Sequence, residues 1–131
     1  MKRFILIIPF GAFIILLILM ASSSCTHPVD GLANLDTVCF DTQVQPIIQI
    51  NCAKSGCHDG TKKGARHTFT EYDSLMKYVV PGDPKNSRIY SAVTSVWSNL
   101  MPPPPAQPLT EEDRSILYIW IAQGAKNNSC Y

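Results

Sequence analysis

The sequence predicts an all-α domain of three or four short helices joined by long loops. Three observations carry this. Thr110-Glu111-Glu112-Asp113 is a capping box with acids in the first turn, and an apolar face at helical spacing follows it. No stretch alternates apolar and polar residues strongly enough for a strand, and no internal repeat occurs. Finally, Pro81-Gly82-Asp83-Pro84 and Pro102 to Pro105 break the chain where helices must end.

Taken in order, the first helix is expected after Asp41 or Thr42, either of which can cap it, with Val44, Ile47 and Ile48 on one face. Pro46 falls in its first turn, where a missing N–H matters least. The helix runs into Asn51-Cys52. Residues 53–69 are rich in Gly, Lys, Ser and Asp and read as a loop. Thr70-Glu71-Tyr72-Asp73 resembles a capping box opening a helix to about Tyr78, with Leu75 and Met76 inward. Asp83-Pro84 suits the cap and first position of a further helix to about Thr94, with Ile89, Tyr90 and Val93 inward. Pro102 to Pro105 favour a stiff polyproline II path. The last helix buries Ile116, Leu117, Ile119, Trp120 and Ile121 and stops at Gly124. Loops this long suggest a large bound group serving as part of the core.

The 131-residue chain holds at most one ordinary domain and a leader. Lys2 and Arg3 precede an uncharged apolar run from Phe4 to Ala21, which ends in Ser22-Ser23-Ser24-Cys25. Small residues before a Cys look like a bacterial lipobox, in which the leader is removed and Cys25 is lipidated. Ordinary signal cleavage near Ser23 and an uncleaved anchor are the competing readings. All three export the rest of the chain and two hold it at a membrane. The expected boundaries are a leader at 1–24, a tether at 25–38 and a domain at 39–131. With 16% charged residues and a formal charge of +1, there is no basic field for nucleic acid.

The chemistry concentrates in Cys52-Ala53-Lys54-Ser55-Gly56-Cys57-His58. Covalent haem attachment ordinarily uses C-x-x-C-H, in which two thiols add to the porphyrin vinyl groups and the following His reaches the iron. Here the spacing is C-x4-C-H, and Ser55 and Gly56 allow the wider loop to bulge. Met101 is the candidate for the second axial ligand, on a proline-braced segment 43 residues after His58. His/Met ligation leaves no open position and favours electron transfer. Alternatives stand beside this. Cys52 and Cys57 can pair as a disulfide. Cys52, Cys57, His58 and His67 have the right types for zinc. Met76 or His67 can replace Met101 as the ligand. If Met101 does not bind iron, a peroxidase-like or sensing role follows. Trp97 and Trp120 are candidates to pack on the haem or on each other, and Arg88 and Tyr90 to bond its propionates. No hydrolase, metalloprotease or phosphate-binding motif occurs.

The order of a helix, Cys52-x4-Cys57-His58, Val80-Pro81-Gly82-Asp83-Pro84, Met101-Pro102-Pro103-Pro104 and Ile119-Trp120-Ile121-Ala122-Gln123-Gly124-Ala125 resembles the small exported cytochrome c domains of the planctomycete-type cytochrome c family. The resemblance spans about residues 39–130. It implies a class I cytochrome c-like fold around one covalent haem c, with Cys52 and Cys57 as attachment thiols and His58 and Met101 as axial iron ligands. In such folds the first and last helices pack together, which lets Cys39 and Cys130 meet. A disulfide there would add on the order of 4 kcal/mol, in the oxidising environment that an exported chain meets. The expected function is a membrane-tethered monohaem cytochrome passing single electrons between redox partner proteins. It is not expected to be an enzyme or to bind nucleic acid. The alternative is a cofactor-free, disulfide-stapled lipoprotein domain for binding or assembly.

Overall fold

A computed structural model describes residues 31, 35–61, 67–97 and 99–130. The leader, Cys25 and much of the tether lie outside the described residues. Gly31–Tyr131 form one compact unit. Among the described residues there are helices and no strand, and no helix is long and apolar enough to cross a membrane.

A π-helical turn, Phe40–Val44, runs directly into α1, Gln45–Asn51. Cys39, rather than Asp41 or Thr42, is the residue before the first turn. Its carbonyl accepts the N–H groups of both Gln43 (3.1 Å) and Val44 (3.3 Å), and its own N–H donates to Gln43 Oε1 (2.9 Å). The first-turn N–H groups that an Asp or Thr cap would accept are taken instead by Asn128, whose Oδ1 accepts the Phe40 N–H (3.1 Å) and whose carbonyl accepts the Asp41 N–H (3.3 Å). Pro46 sits at the second position of α1, directly after the π-helical turn.

The two middle helices are shorter than predicted. α2 spans Tyr72–Met76, with Glu71 in the capping position and no side-chain capping bond. Residues Lys77 and Tyr78 leave the helix in a turn, where the Tyr78 N–H bonds Leu75 O at 2.9 Å. α3 spans Arg88–Thr94 and starts after Ser87, not after Asp83. The Asp83 carboxylate instead accepts the backbone N–H (3.2 Å) and side-chain amide (2.6 Å) of Asn86, which holds the pair in a local turn.

The last helix, α4, spans Glu111–Ala122 as the sequence predicts, and the Thr110 side chain accepts the Asp113 N–H at 3.0 Å. α4 packs against both α3 and the π-helical turn. The core lies along these contacts: Val44, Ile48, Leu75, Ile89, Val93, Leu117, Trp120 and Ile121 are all buried. Trp120 meets Phe40 and Tyr72, with ring centroids 5.5 and 6.5 Å away. Trp97 does not pack with it, being 78% exposed.

The two ends of the domain are joined twice. Cys39 and Cys130 form a disulfide, with Cα atoms 5.8 Å apart. Beside it, Gln123 Oε1 accepts the Val38 N–H (2.9 Å), and Asn128 Oδ1 accepts the Phe40 N–H (3.1 Å).

Candidate functional site

Ala53 through Asp59 turn back on the end of α1. The Cys57 N–H donates to Lys54 O (2.9 Å), and the His58 N–H donates to Cys52 O (3.1 Å). Gly56 takes φ +77°, a conformation that L side chains rarely adopt. The two extra residues of the Cys spacing are absorbed in this bulge. Cys57 and His58 are therefore returned to Cys52, and all three line one cleft.

The cleft has a volume of about 550 Å³, within the usual range of about 300–1,000 Å³ for cofactor sites. α3 forms one wall with Ile89, Ala92 and Val93, and Phe69 and Tyr78 form another. Met101, Pro102 and Pro103 close a further side. Met101 is 38% exposed, and its N–H donates to Ala92 O (2.9 Å), which fixes it to α3. The proline run does not continue as an extended path, because the Ala106 N–H turns back to Pro103 O at 3.1 Å. Met76 instead packs against the core as a gap-filler.

His58 is oriented from behind. Its Nδ1 lies 2.9 Å from the His67 carbonyl oxygen. A carbonyl only accepts, so Nδ1 carries the proton and Nε2 of the neutral ring keeps a lone pair. That is the tautomer an imidazole needs to bind iron through Nε2. Phe69 stacks on the ring with centroids 4.6 Å apart.

Cys52 and Cys57 are free thiols, the first buried and the second exposed. Burial, with neighbouring Cys57 adding to it, pushes the Cys52 thiol up to about 11. It therefore stays protonated near neutral pH. The two cysteines are not paired with each other, unlike in the alternative of a Cys52–Cys57 disulfide. Among the described residues no three His, Cys, Asp or Glu side chains gather closely enough to hold a metal ion. His67 lines the cleft, but its ring is engaged by the Tyr78 hydroxyl and its carbonyl by His58.

The donor set therefore fits a covalently held haem: two thiols, an imidazole of the right tautomer and a thioether around one largely apolar cleft. Arg88 lines it as well, with its guanidinium carbon 5.7 Å from the centre of the Tyr78 ring. Tyr90 pairs with Tyr118 instead, at 5.3 Å between centroids.

Sequence reasoning passed over Phe69, Tyr78 and Ser87. The first two carried no motif signal beyond being aromatic. Ser87 is fully buried: its hydroxyl donates to Asp83 O (2.8 Å) and accepts the Val80 N–H (2.8 Å), tying the Val80-Pro81-Gly82-Asp83 loop to the start of α3.

Residues 55–105 match the model of a protein family described as Planctomycete cytochrome C. The matched stretch contains Cys57, His58 and Met101 and begins just after Cys52. No curated protein and no solved structure matches the chain.

Proposed function

On the premise that this chain is a member of the planctomycete-type cytochrome c family, we propose that it is a monohaem electron carrier, exported and held at a membrane. The observation that carries the reading is that Cys52, Cys57, His58 and Met101 all line one cleft, with the proximal imidazole already in the ligating tautomer. Haem, when bound, supplies an iron that takes up and gives back one electron.

The chain's own residues do the rest. Cys52 and Cys57 would each add their S–H across one vinyl group, so that neither thiol remains free. His58 would bind through Nε2 and Met101 through its thioether. A second ligand leaves no open position, which favours electron transfer over ligand or peroxide chemistry. Ile89, Val93, Phe69 and Pro102 line the cleft and would keep water from a bound haem, which would favour its less charged, reduced state. Arg88 offers a positive partner for the cofactor's carboxylates. The apolar run 4–21 and Cys25 would supply the membrane tether. The partners would be redox proteins rather than substrates, and the chain would not be an enzyme.

The test is expression of the full chain, with its own leader, in a host that matures c-type cytochromes. A c-type pyridine haemochrome and one haem of added mass are expected, and both should vanish in Cys52→Ala/Cys57→Ala. Met101→Ala should keep the haem but bind carbon monoxide in the ferrous form. A colourless chain without added mass would refute the reading and leave a disulfide-stapled binding domain.

A further inference from the structure

His58 takes its orientation from a carbonyl that lies nine positions further along the chain, and that carbonyl has its own anchor. His67 Nδ1 and the Tyr78 hydroxyl share a hydrogen bond, and their ring centroids lie 4.6 Å apart. Tyr78 meets Phe69 edge-on at 5.4 Å, and Phe69 stacks on His58 at 4.6 Å. The Phe69 N–H donates to His58 O at 2.9 Å. The contacts form a closed circuit from His58 through His67, Tyr78 and Phe69 back to His58. All four residues line the cleft.

We propose that Tyr78 is a positioning residue for the axial imidazole: by holding the ring of His67, it holds the His67 carbonyl that takes the Nδ1 proton of His58. The physical argument is one of anchoring. His67 and Thr68 lie in neither helix nor strand, so no secondary structure fixes that carbonyl. The Phe69 N–H restrains one side of it. The Tyr78 bond restrains the other, and Tyr78 is itself placed by its backbone bond to the end of α2 and by the Ile89 N–H, which donates to Tyr78 O at 3.1 Å. A partner on Nδ1–H makes the imidazole a stronger donor at Nε2, which favours the oxidised state of a bound iron. Loosening the partner therefore raises the reduction potential.

This inference rests on the reading of His58 as an iron ligand, and its test separates the two. Tyr78→Phe removes one oxygen and keeps the ring over which Arg88 sits. Nitrogen-15 long-range NMR on the full chain without haem reads the His58 tautomer directly. Wild type should show Nδ1–H, and Tyr78→Phe should raise the Nε2–H population severalfold. In the haem-loaded chain, Tyr78→Phe and His67→Ala should both raise the potential. His67→Asn, whose amide can still meet the Tyr78 hydroxyl, should restore most of the difference. A lowered melting temperature with unchanged tautomer and potential would make Tyr78 merely structural and overturn the proposal. If wild type takes no haem, the cytochrome reading fails, and the tautomer comparison still decides whether Tyr78 positions His58.

Discussion

Cutting the bond between Cys39 and Cys130 should cost this domain about as much as a large core truncation. The two residues are 91 positions apart in sequence. In the loop-closure account, a cross-link of that span removes about 4.6 kcal/mol of entropy from the unfolded chain. The folded state should change little, because Gln123 and Asn128 already hold Val38 and Phe40 through hydrogen bonds of 2.9 and 3.1 Å. Cys39 is buried, so the appropriate variant is Cys39→Ala/Cys130→Ala rather than a serine pair. A domain of this length gains about 0.2 kcal/mol/K of unfolding entropy, so the melting temperature should fall by about 20 °C. Urea titration followed by circular dichroism adds a second signature. Without the cross-link the unfolded chain expands, so the slope of free energy against urea should rise as the midpoint falls. A loss under about 1 kcal/mol with an unchanged slope would refute the argument, because it would mean that the bond does not constrain the unfolded chain.

Ser87→Ala should cost about 1–3 kcal/mol in the same titration, since it leaves the Val80 N–H and the Asp83 carbonyl without their buried partner; a change within the range of surface substitutions would contradict that role. Trp97→Ser, at a side chain 78% exposed, should alter stability by no more than about 0.5 kcal/mol. In the haem-free chain, iodoacetamide at pH 8 should label exposed Cys57 well before Cys52, whose thiol becomes reactive only as the pH approaches about 11. In the haem-loaded chain neither should be labelled, and mass spectrometry of the peptides distinguishes these outcomes.

The parts of the fold that were legible in the sequence are those fixed by short-range signals that agree with one another. α4 is the clearest case. Thr110 caps it, acids fill its first turn, and its apolar residues recur at helical spacing, so tertiary contacts had nothing to overrule. The start of α3 shows the opposite case. Asp83 accepts the Asn86 N–H as a cap would, yet only a turn forms there and the helix begins after Ser87, whose hydroxyl donates back to Asp83 O and accepts the Val80 N–H. The π-helical turn was illegible because it depends on the Cys39 carbonyl receiving two N–H groups while the disulfide fixes that residue from the other end of the chain. The proline run was read as extended because each proline favours that path. The turn in which the Ala106 N–H bonds Pro103 O carries no signal in the composition of the run.

The candidate site divides along the same line. Cys52, Cys57, His58 and Met101, which share one cleft, were legible as candidates because haem attachment restricts residue type and because a thiol pair followed by His is rare by chance. What supports them was not, since a wall residue needs only shape and a hydrogen bond, and many residue types supply those. The functional consequence lies in the balance between the two sides of this small domain. One side is closed by a disulfide and a dense aliphatic core around α4. The other is an apolar cleft whose lining includes half-buried Phe69 and Tyr78 and exposed Met101, a surface that water penalises. Covering that lining should stabilise the folded chain over the unfolded one, and a group held by two thioether bonds cannot be lost by dilution, unlike a reversible ligand. Attachment at Cys52 and Cys57 would thus complete the half of the core that the chain does not build for itself. On this argument, the melting temperature of the haem-loaded chain should exceed that of the haem-free chain and should not depend on concentration. A haem-free chain of equal stability would show that the cleft needs no occupant to complete the fold.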